Sequence, residues 1–503
     1  MSAVAYKAGV SSAPARGQLR AWSPLAAVLV LAVALRLSTL GLQSFWYDEA
    51  FTPVHVLHAG LGATLHSVVH TENSPPLWYL LAWLDVRLFG DGEVALRLPS
   101  ALAGIATVAV AWAIGRELAG RRCALACAAL VAVNPLFVWY SQEARVYALF
   151  ALTCAVAMLC CLRARREPTR SRMAAFALSG ALALLTHYFS AFLLAGMALW
   201  LLRERASRRA ALGAIAVLAL VGLVLVPLIV AQGGHGTQWI GRWALSSRLQ
   251  AIPQYYLTGY SGAPLGHGVE LLVALPLLAG SALGAWQLRH AGGGAGALGA
   301  PLIAGCGILI PLALAVMGAD YLAPRNLLAA MIPVTAAVAV LLAAPGTGRA
   351  TWALAAAGAL AFLAVSVDVD LSPRLQRGNW RGVAHALRRG SAARALTTVE
   401  LGAAPLEYYL PGLRNLRRGS SVSVAEIDET GYAPLRASAG SPPAAGFGLT
   451  QRLNVDGLIV YRFLAPSART VSQAALRRHV ITRARPEVLV PAGAHVTSAA
   501  ARG

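Results

Sequence analysis

Long uninterrupted apolar segments recur along the whole first two thirds of the chain, and no other feature limits its fold as much. A helix needs roughly 20 apolar residues to cross a hydrocarbon layer about 30 Å thick. Of the 503 residues, 57% are hydrophobic and 13% charged, whereas soluble domains average about 25% charged. We therefore predict an all-α polytopic membrane bundle with about eleven spans, at residues 23–42, 94–114, 123–140, 146–162, 173–187, 189–202, 210–230, 270–286, 299–316, 327–344 and 352–367.

The basic residues indicate how the bundle is oriented. The chain carries a net charge of +21, and many arginines lie in short connections at residues 116–122, 163–172 and 203–209. Cytoplasmic connections of membrane proteins carry such clusters, so we place these three and the N-terminus in the cytoplasm. The alternate connections then lie outside. Nucleic-acid binding is not expected, because no exposed basic helix or aromatic stacking module accompanies the charge.

One apolar segment, residues 77–89, is predicted to lie along the outer membrane surface instead of crossing. Its apolar part has about a dozen residues, a length better suited to an interfacial helix, and Asp85 and Arg87 interrupt it. Counting it as a span would also move the arginine clusters at 116–122 and 163–172 outside, against the charge rule. The prediction therefore includes juxtamembrane helices on the outer face.

Beyond residue 367 the apolar segments give way to mixed composition. Short β-like runs alternate with amphipathic helical ones, which favours a small α/β domain, and an odd number of spans places it outside the cytoplasm. The predicted strands are 395–401, 457–463 and 480–483, and the predicted helices 380–389 and 405–410. The predicted domains are a cytoplasmic segment 1–22, a membrane domain 23–367 whose first outer loop is 43–93, and an extracytoplasmic domain 368–503.

Ionisable and aromatic residues gather in the predicted outer connections. Charged groups near bilayer depth are costly and tend to mark functional sites. A carboxylate can serve as a general base, and the planar guanidinium of arginine suits a phosphate group. The candidate site residues are Tyr47, Asp48, Glu49, Glu72, Glu143, Arg145, Tyr147, His187, Tyr188 and Arg325.

Several of the polar and aromatic residues have a purely structural alternative. Glu93 and Arg97 are four residues apart on a predicted helix, so we expect them to form an ion pair. Trp46 and Trp239 are of the type that anchors membrane proteins at the interface. Arg145 could extend to the lipid headgroups instead of binding a substrate. For Glu72 the structural alternative is a helix cap, and for His187 it is a hydrogen-bonded turn residue.

Four short motifs carry a resemblance to a known family. They are the acidic pair Asp48-Glu49, Pro-Pro-Leu-Trp-Tyr at 75–79, Arg-Leu-Pro-Ser at 97–100, and Gln-Glu-Ala-Arg-Val-Tyr at 142–147. Together they resemble the C-type (GT-C) membrane glycosyltransferases, within them the branch of protein O-mannosyltransferases and aminoarabinose transferases (glycosyltransferase family 39-like). The resemblance covers about the first 345 residues and is strongest over 41–147.

The resemblance implies an inverting transfer of a sugar from polyprenyl phosphate to a hydroxyl group on the extracytoplasmic side. It implies that Asp48 is the catalytic base, that Glu49 orients the acceptor or the base, and that Arg145 and Arg325 bind the lipid phosphate. Some relatives hold a divalent cation near the position of Glu143. This chain has Glu-Ala-Arg there without a carboxylate pair, so a cation between Asp48 and Glu143 stays open, and no other cofactor is expected. The residues expected to line the substrate cavity are Tyr47, Glu72, Glu143, Tyr147, His187 and Tyr188.

The sequence leaves several alternatives open. A polyprenyl-lipid flippase or transporter would show paired repeats or interrupted helices around a midplane site, and neither is visible. A non-catalytic scaffold of envelope assembly is a second alternative. The sugar (mannose or another hexose or pentose) and the acceptor (a glycan, lipid or protein hydroxyl) are not determined. The Ala/Gly/Arg-rich composition and the lack of β-trefoil insertions favour a bacterial inner membrane.

Overall fold

A computed structural model describes residues 14–259, 265–290, 298–391, 393–399, 401–479, 481–482 and 486–498. The membrane part consists of helices joined by short connections. Its helices are α1 (Pro14–Leu37), α2 (Tyr47–Phe51), α3 (Leu61–Thr71), α4 (Leu77–Phe89), α5 (Glu93–Val133), α6 (Pro135–Ser141), α7 (Tyr147–Arg166), α8 (Arg170–Thr186), α9 (Ser190–Leu202), α10 (Arg205–Gln232), α11 (Leu245–Thr258), α12 (His267–His290), α13 (Gly299–Val316), α14 (Met331–Ala343) and α15 (Arg349–Leu371). A 3-10 segment, Pro324–Ala330, leads into α14.

Within the described residues, seven helical stretches are long and apolar enough to cross a membrane. They are α5, α7, α10, α12, α13, α15 and Pro324–Ala343, while the apolar parts of α1 and α9 are shorter. Leucines and valines along α10 and α12 are exposed, as expected of surfaces that face lipid. Each predicted span overlaps one of the helices. The polytopic helical membrane fold is thus confirmed, and the count of eleven spans stays a prediction.

Helix α5 contains one predicted span and the start of the next, because the chain reverses within it. Ala119 and Gly120 leave the helical conformation, and Gly120 has a φ of +83°, which glycine adopts without steric cost. A Cβ atom on Gly115 would lie 2.8 Å from the Cα of Ala124. In one continuous helix, positions nine residues apart would be separated by about 14 Å. The two halves therefore form an antiparallel hairpin.

The connections segregate to the two ends of the bundle as the charge pattern predicts. At one end, Arg163 pairs with Glu117 at 2.9 Å and Arg165 pairs with Glu204 at 3.1 Å, so the arginine-rich connections meet. The connections predicted to be extracytoplasmic meet at the opposite end around one cavity. Helix α4 belongs to this second end, and its thirteen residues span only about 20 Å.

The C-terminal part is an α/β region with its own apolar core. Its sheet has the strand order β2-β6-β1-β3-β5-β4, with β7 beside β3. Among the described strands, only β1 and β3 pair in parallel, and the other pairs are antiparallel. The elements are α16 (Trp380–Leu387), β1 (Arg394–Val399), α17 (Ala403–Tyr409), β2 (Leu413–Asn415), β3 (Ser420–Tyr432), β4 (Gly448–Val455), β5 (Leu458–Ser472), α18 (Gln473–Arg478), β6 (Pro486–Pro491) and β7 (Val496–Ser498).

The sequence predicted some of the strands and helices of the C-terminal region. Strands β1 and β5 and helices α16 and α17 lie where expected, whereas β2, β3, β4, β6, β7 and α18 were missed. Of the predicted strand 480–483, only 481–482 are described, and they are not in a strand. The predicted domain limits stay a prediction, and residues 1–13 of the N-terminal segment lie outside the described part of the chain.

The α/β region packs on the end of the bundle that holds the cavity. The backbone N–H of Trp380 donates to Ser44 Oγ at 3.0 Å, and the N–H of Phe45 donates to the Tyr409 hydroxyl oxygen at 2.7 Å. Tyr409 also donates to Glu93. Helix α17 contacts α2. The first loop of the membrane domain is therefore held between the bundle and the C-terminal region.

Candidate functional site

A cavity of about 890 Å³ lies at the end of the bundle that carries the C-terminal region. Its walls come from the loop before α2, from α2, and from the connections α3–α4, α6–α7, α8–α9, α10–α11 and α13–α14. Nine of the ten candidate residues line it: Tyr47, Asp48, Glu72, Glu143, Arg145, Tyr147, His187, Tyr188 and Arg325. The sequence placed these residues in separate connections, and the fold brings them together.

Asp48 and Arg325 form an ion pair across the cavity. The Nη1 of Arg325 donates to Asp48 Oδ2 at 2.7 Å, and both side chains keep about a fifth of their surface exposed. Arg325 sits in the 3-10 segment before α14. The loop before that segment is anchored by Arg248, which pairs through both terminal nitrogens with Asp320 at 2.6 Å. A partly exposed carboxylate and a guanidinium thus face the same space.

Glu49, the tenth candidate, does not line the cavity. Its carboxylate has no exposed surface and accepts two hydrogen bonds from Arg97 and one from the N–H of Ala144. Burial opposes its ionisation, but the charges of Arg97 and Arg377 outweigh this effect and hold the pKa of Glu49 below its ordinary value. The position fits a side chain that orients α2, and with it Asp48, and that does not face the cavity.

The expected ion pair between Glu93 and Arg97 was wrong. Arg97 points into the core and binds Glu49, while Glu93 pairs with Arg381 of the C-terminal region. Helical spacing brings Glu93 and Arg97 to one helix face, but the buried carboxylate of Glu49 and three backbone carbonyl oxygens attract the guanidinium more strongly.

Arg145 is held by Glu72, and both residues line the cavity. Its Nη2 donates to Glu72 Oε2 at 3.0 Å, and its Nη1 donates to the backbone oxygen of Asp48 at 3.3 Å. Tyr79 from the interfacial helix α4 also donates to Glu72. Since the Arg145 side chain is only 12% exposed, it does not extend to the headgroups. It places a second positive charge next to α2.

Glu143 contacts an arginine that the sequence did not suggest. Arg377, in the connection between α15 and α16, donates to Glu143 Oε2 at 3.0 Å, and both side chains are buried. Burial raises the pKa of Glu143 to about 7, although Arg377 acts in the opposite direction.

The residues do not fit a divalent cation between Asp48 and Glu143. Each of the two carboxylates is already bonded to a guanidinium. Among the described residues there is no group of three or more histidine, cysteine, aspartate or glutamate side chains that could hold a metal ion.

Aromatic side chains form much of the remaining wall. Trp46 and Trp239, expected to be interface anchors, line the cavity instead, as do Trp139 and Trp243, which sequence reasoning did not single out. His187 stacks on Phe150 with ring centroids 4.4 Å apart. Burial and the charge of Arg325 lower the pKa of His187 to about 3, so the imidazole is neutral near pH 7.

One side of the cavity is apolar. Phe189 and Phe192 at the start of α9, Ile229 of α10, and Pro311 and Leu314 of α13 line it. The outer faces of α10 and α13 carry exposed apolar residues. The cavity thus joins a charged region around Asp48 to an apolar region beside lipid-facing helices.

Comparisons with known proteins agree with this architecture. Residues 73–231 match a family model described as dolichyl-phosphate-mannose-protein mannosyltransferase. The fold is similar to the crystal structure of ArnT from Cupriavidus metallidurans bound to undecaprenyl phosphate, with a TM-score of 0.55 and 13% identity over 88% of this chain and 98% of that one. The apo structure of the same protein gives a TM-score of 0.55 and 12% identity with the same coverage. A search of curated proteins finds no match.

The family match and the shared fold bear on the resemblance that the four motifs carry. The predicted resemblance to the GT-C membrane glycosyltransferases is confirmed by the match to the family model, which covers α4 to α10, and by the fold shared with ArnT. Within that class, the chain resembles the mannosyltransferase and aminoarabinose-transferase branch.

Proposed function

We propose that the protein is an inverting glycosyltransferase that moves a sugar from a polyprenyl-phosphate donor to an acceptor hydroxyl group on the extracytoplasmic side. The sugar is a hexose or pentose, with mannose the first candidate, and the acceptor is a hydroxyl of a glycan, a lipid or a protein. The observation that carries the proposal is the pair of Asp48 and Arg325 facing one cavity at 2.7 Å.

Asp48 has the position required of a general base. Its carboxylate is reachable from the cavity, and its helix α2 is fixed from behind through Glu49 and Arg97. In the proposed step the acceptor hydroxyl gives its proton to Asp48 and its oxygen forms a bond to the sugar C1. The bond between C1 and the phosphate oxygen breaks, and polyprenyl phosphate leaves with the electron pair. A correctly placed base contributes roughly 10²–10⁴-fold to such a step.

Arg325 and Arg145 are proposed to hold the phosphate of the donor. Negative charge grows on the phosphate as the bond to C1 breaks, so fixed guanidinium groups stabilise the transition state more than the ground state. In the resting site Arg325 binds Asp48 and Arg145 binds Glu72. A phosphate that takes over a hydrogen bond from Arg325 would free Asp48 to accept the proton. The apolar wall of Phe192, Ile229 and Leu314 suits the first isoprene units of the lipid.

The substitution Asp48→Asn tests the proposal. The purified chain in detergent is given polyprenyl phosphates that carry different single sugars, and release of free polyprenyl phosphate and loss of donor are measured. We expect Asp48→Asn to lower transfer by at least about 100-fold. The matched control is Asp91→Asn, an exposed carboxylate at the same end of the bundle, which should keep transfer within about twofold. Transfer by a folded Asp48→Asn variant at a rate near that of the unmodified chain would refute the proposal.

The proposed side of the reaction rests on the charge rule. The arginine-rich end of the bundle is assigned to the cytoplasm, so the cavity and the C-terminal region face outward. A reporter enzyme that is active only outside the cytoplasm, fused after the last residue, should be active. Activity of the same reporter only when it follows α7 would reverse the assignment.

A further inference from the structure

Arg377 joins the two parts of the protein and contacts two residues that line the cavity. It lies in the connection between α15 and α16, yet its side chain is only 3% exposed. Its backbone N–H donates to Gln43 Oε1 at 3.0 Å, which fixes the main chain beside the first loop. The guanidinium lies 3.9 Å above the ring of Trp139. A charged group on a polar connection is thus placed deep in the protein.

The guanidinium serves two carboxylates of the site. Its Nη2 donates to Glu143 Oε2 at 3.0 Å, and its Nε lies 3.8 Å from Glu49 Oε2. Both carboxylates are almost fully buried, at 1% and 0% exposure. Buried carboxylates are costly unless a positive charge compensates them. Arg97 compensates Glu49 from the other side, and Arg377 is the ion-pair partner of Glu143.

The contact with Arg377 uses one of the two carboxylate oxygens of Glu143 and leaves the other available to a ligand. Only Oε2 is bonded to Arg377, and Oε1 is buried with no hydrogen-bond partner among the described residues. Glu143 is one of the residues that line the cavity. An unpaired buried oxygen on a cavity wall is suited to accept a hydrogen bond from a hydroxyl group of a bound sugar, because such a group is costly to leave unsatisfied.

We propose that Arg377 is a positioning residue that acts as the fixed cation of the site, orienting Glu143 toward a substrate hydroxyl group so that transfer requires no divalent metal ion. The inference rests on the proposed glycosyl transfer. It also gives the C-terminal region a part in the reaction, because that region's docking delivers Arg377.

A neighbouring arginine provides a matched control. Arg381 lies four residues further along the same segment and also ties it to the membrane domain, through Glu93. Its side chain is 45% exposed and is not part of the cavity wall. Loss of Arg381 removes a docking contact without removing charge from the site. A comparison of transfer by Arg377→Ala and Arg381→Ala therefore separates the positioning role of Arg377 from the docking of the C-terminal region.

The test compares transfer kinetics of the full-length chain with and without a chelator. We expect transfer by the unmodified chain to stay within about twofold in chelator, and added Mg²⁺, Mn²⁺ or Zn²⁺ to leave its melting temperature unchanged. Arg377→Ala should lower kcat/KM roughly 100-fold, as loss of a buried charged hydrogen-bond partner does. Arg377→Lys should recover part of that loss, because it restores the charge without the planar fork. Arg381→Ala should stay within about threefold.

A double variant checks that Arg377 acts through Glu143. If it does, the loss in Arg377→Ala combined with Glu143→Gln should be much smaller than the two single losses together, since both changes disrupt the same ion pair. Additive losses would overturn the positioning role. Inhibition of the unmodified chain by chelator, reversed by a metal ion, would overturn the claim of a fixed cation.

Failure of this inference differs from failure of the proposed function. If Asp48→Asn abolishes transfer but Arg377→Ala leaves it unchanged, the glycosyl transfer stands and the role of Arg377 is refuted. If Asp48→Asn retains transfer, the proposed function fails whatever Arg377 does. Should Arg377→Ala fail to fold, Arg377→Lys and the chelator experiment still decide.

Discussion

Arg97 binds both carboxylate oxygens of Glu49, each at 2.7 Å, in a part of the core from which solvent is excluded. The remaining N–H groups of Arg97 donate to the backbone oxygens of Leu40, Gln43 and Ser44. One guanidinium thus ties the end of the first membrane helix to the helix that carries Asp48. The adjacent carboxylates Asp48 and Glu49 therefore have different surroundings, one reachable from the cavity and one sealed in the core.

This arrangement predicts that Glu49→Gln is strongly destabilising. The amide would leave the buried charge of Arg97 uncompensated, and breaking a buried ion pair in this way costs about 3–5 kcal/mol. We expect a clear fall in the free energy of unfolding, measured by thermal or denaturant unfolding of the purified chain in detergent.

A surface pair provides the comparison for this stability prediction. Glu117 pairs with Arg163 and Arg166, whose side chains are 47% and 72% exposed. Glu117→Gln should change the free energy of unfolding by less than about 1 kcal/mol, the usual range for exposed pairs. Similar losses for Glu49→Gln and Glu117→Gln would contradict the view that Glu49 is a structural anchor.

Arg325 should be needed for the chemical step and not only for binding. Its guanidinium is expected to stabilise charge on the leaving phosphate, so Arg325→Ala should lower kcat by roughly 10²–10³-fold, the loss typical of one transition-state donor. Arg325→Lys should recover only part of this activity, because it keeps the charge but loses the fork that binds two oxygens. Steady-state kinetics with varied donor concentration separate the two effects.

A rise in KM with an unchanged kcat for Arg325→Ala would contradict that role. The result would mean that Arg325 binds ground state and transition state equally. The neighbouring Asn326→Ala, which shortens a second cavity-lining side chain whose amide donates to the backbone oxygen of Tyr321, serves as a control for local damage.

Loop parity and charge placement are long-range rules, and they assigned the candidate residues to one end of the bundle. Asp48 and Arg325 are far apart in the chain, yet both were assigned to the same membrane face, and they form an ion pair. The same reasoning placed Glu72, Arg145 and His187 in outer connections, and in the structure they line the cavity. These assignments need only the order of the spans, not their packing.

The parts that sequence reasoning missed depend on tertiary contacts. Arg377 lies in a polar connection, and nothing in its neighbourhood along the chain indicates that it folds back against Glu143. Spacing along one helix suggested a Glu93–Arg97 pair, but spacing carries no information about the buried Glu49. In the sheet, Asp428 of β3 is fully buried beside Arg462, so the strand does not show the apolar alternation that identifies strands.

The raised pKa of Glu143 predicts a particular dependence of stability on pH. Its carboxyl has a pKa of about 7 in the folded chain and an ordinary value of 4.5, so the folded state binds more protons between these values. Stability from this group is therefore present below pH 4.5 and is lost as the pH rises through 7. The loss is about 3 kcal/mol at most.

Glu143→Gln removes this titration and should flatten the fall in stability between pH 4.5 and 7. The difference between the unfolding free energies of the two proteins, measured across that range, gives the contribution of Glu143. The contribution of His187 to the unfolding free energy changes with pH in the opposite direction, because its pKa of about 3 lies below its ordinary value of 6.5. This contribution is lost as the pH falls toward 3. If the unmodified protein loses no more stability than Glu143→Gln between pH 4.5 and 7, Glu143 is not the group responsible.

Helix α5 packs closely against α6 and α1 at Gly104. A Cβ atom there would lie 2.0 Å from the Oγ of Ser141 and 3.0 Å from the Nε of Arg36, and Ser141 and Arg36 are hydrogen-bonded to each other at 3.1 Å. Gly104→Ala should therefore lower the free energy of unfolding by about 1–3 kcal/mol, as overpacking does. Gly222→Ala on α10 is the matched control, because nothing lies within 4 Å of the added carbon, and it should be neutral or slightly stabilising. Thermal unfolding of both variants in the same detergent decides, and equal melting temperatures would contradict the packing of residue 104 against residue 141.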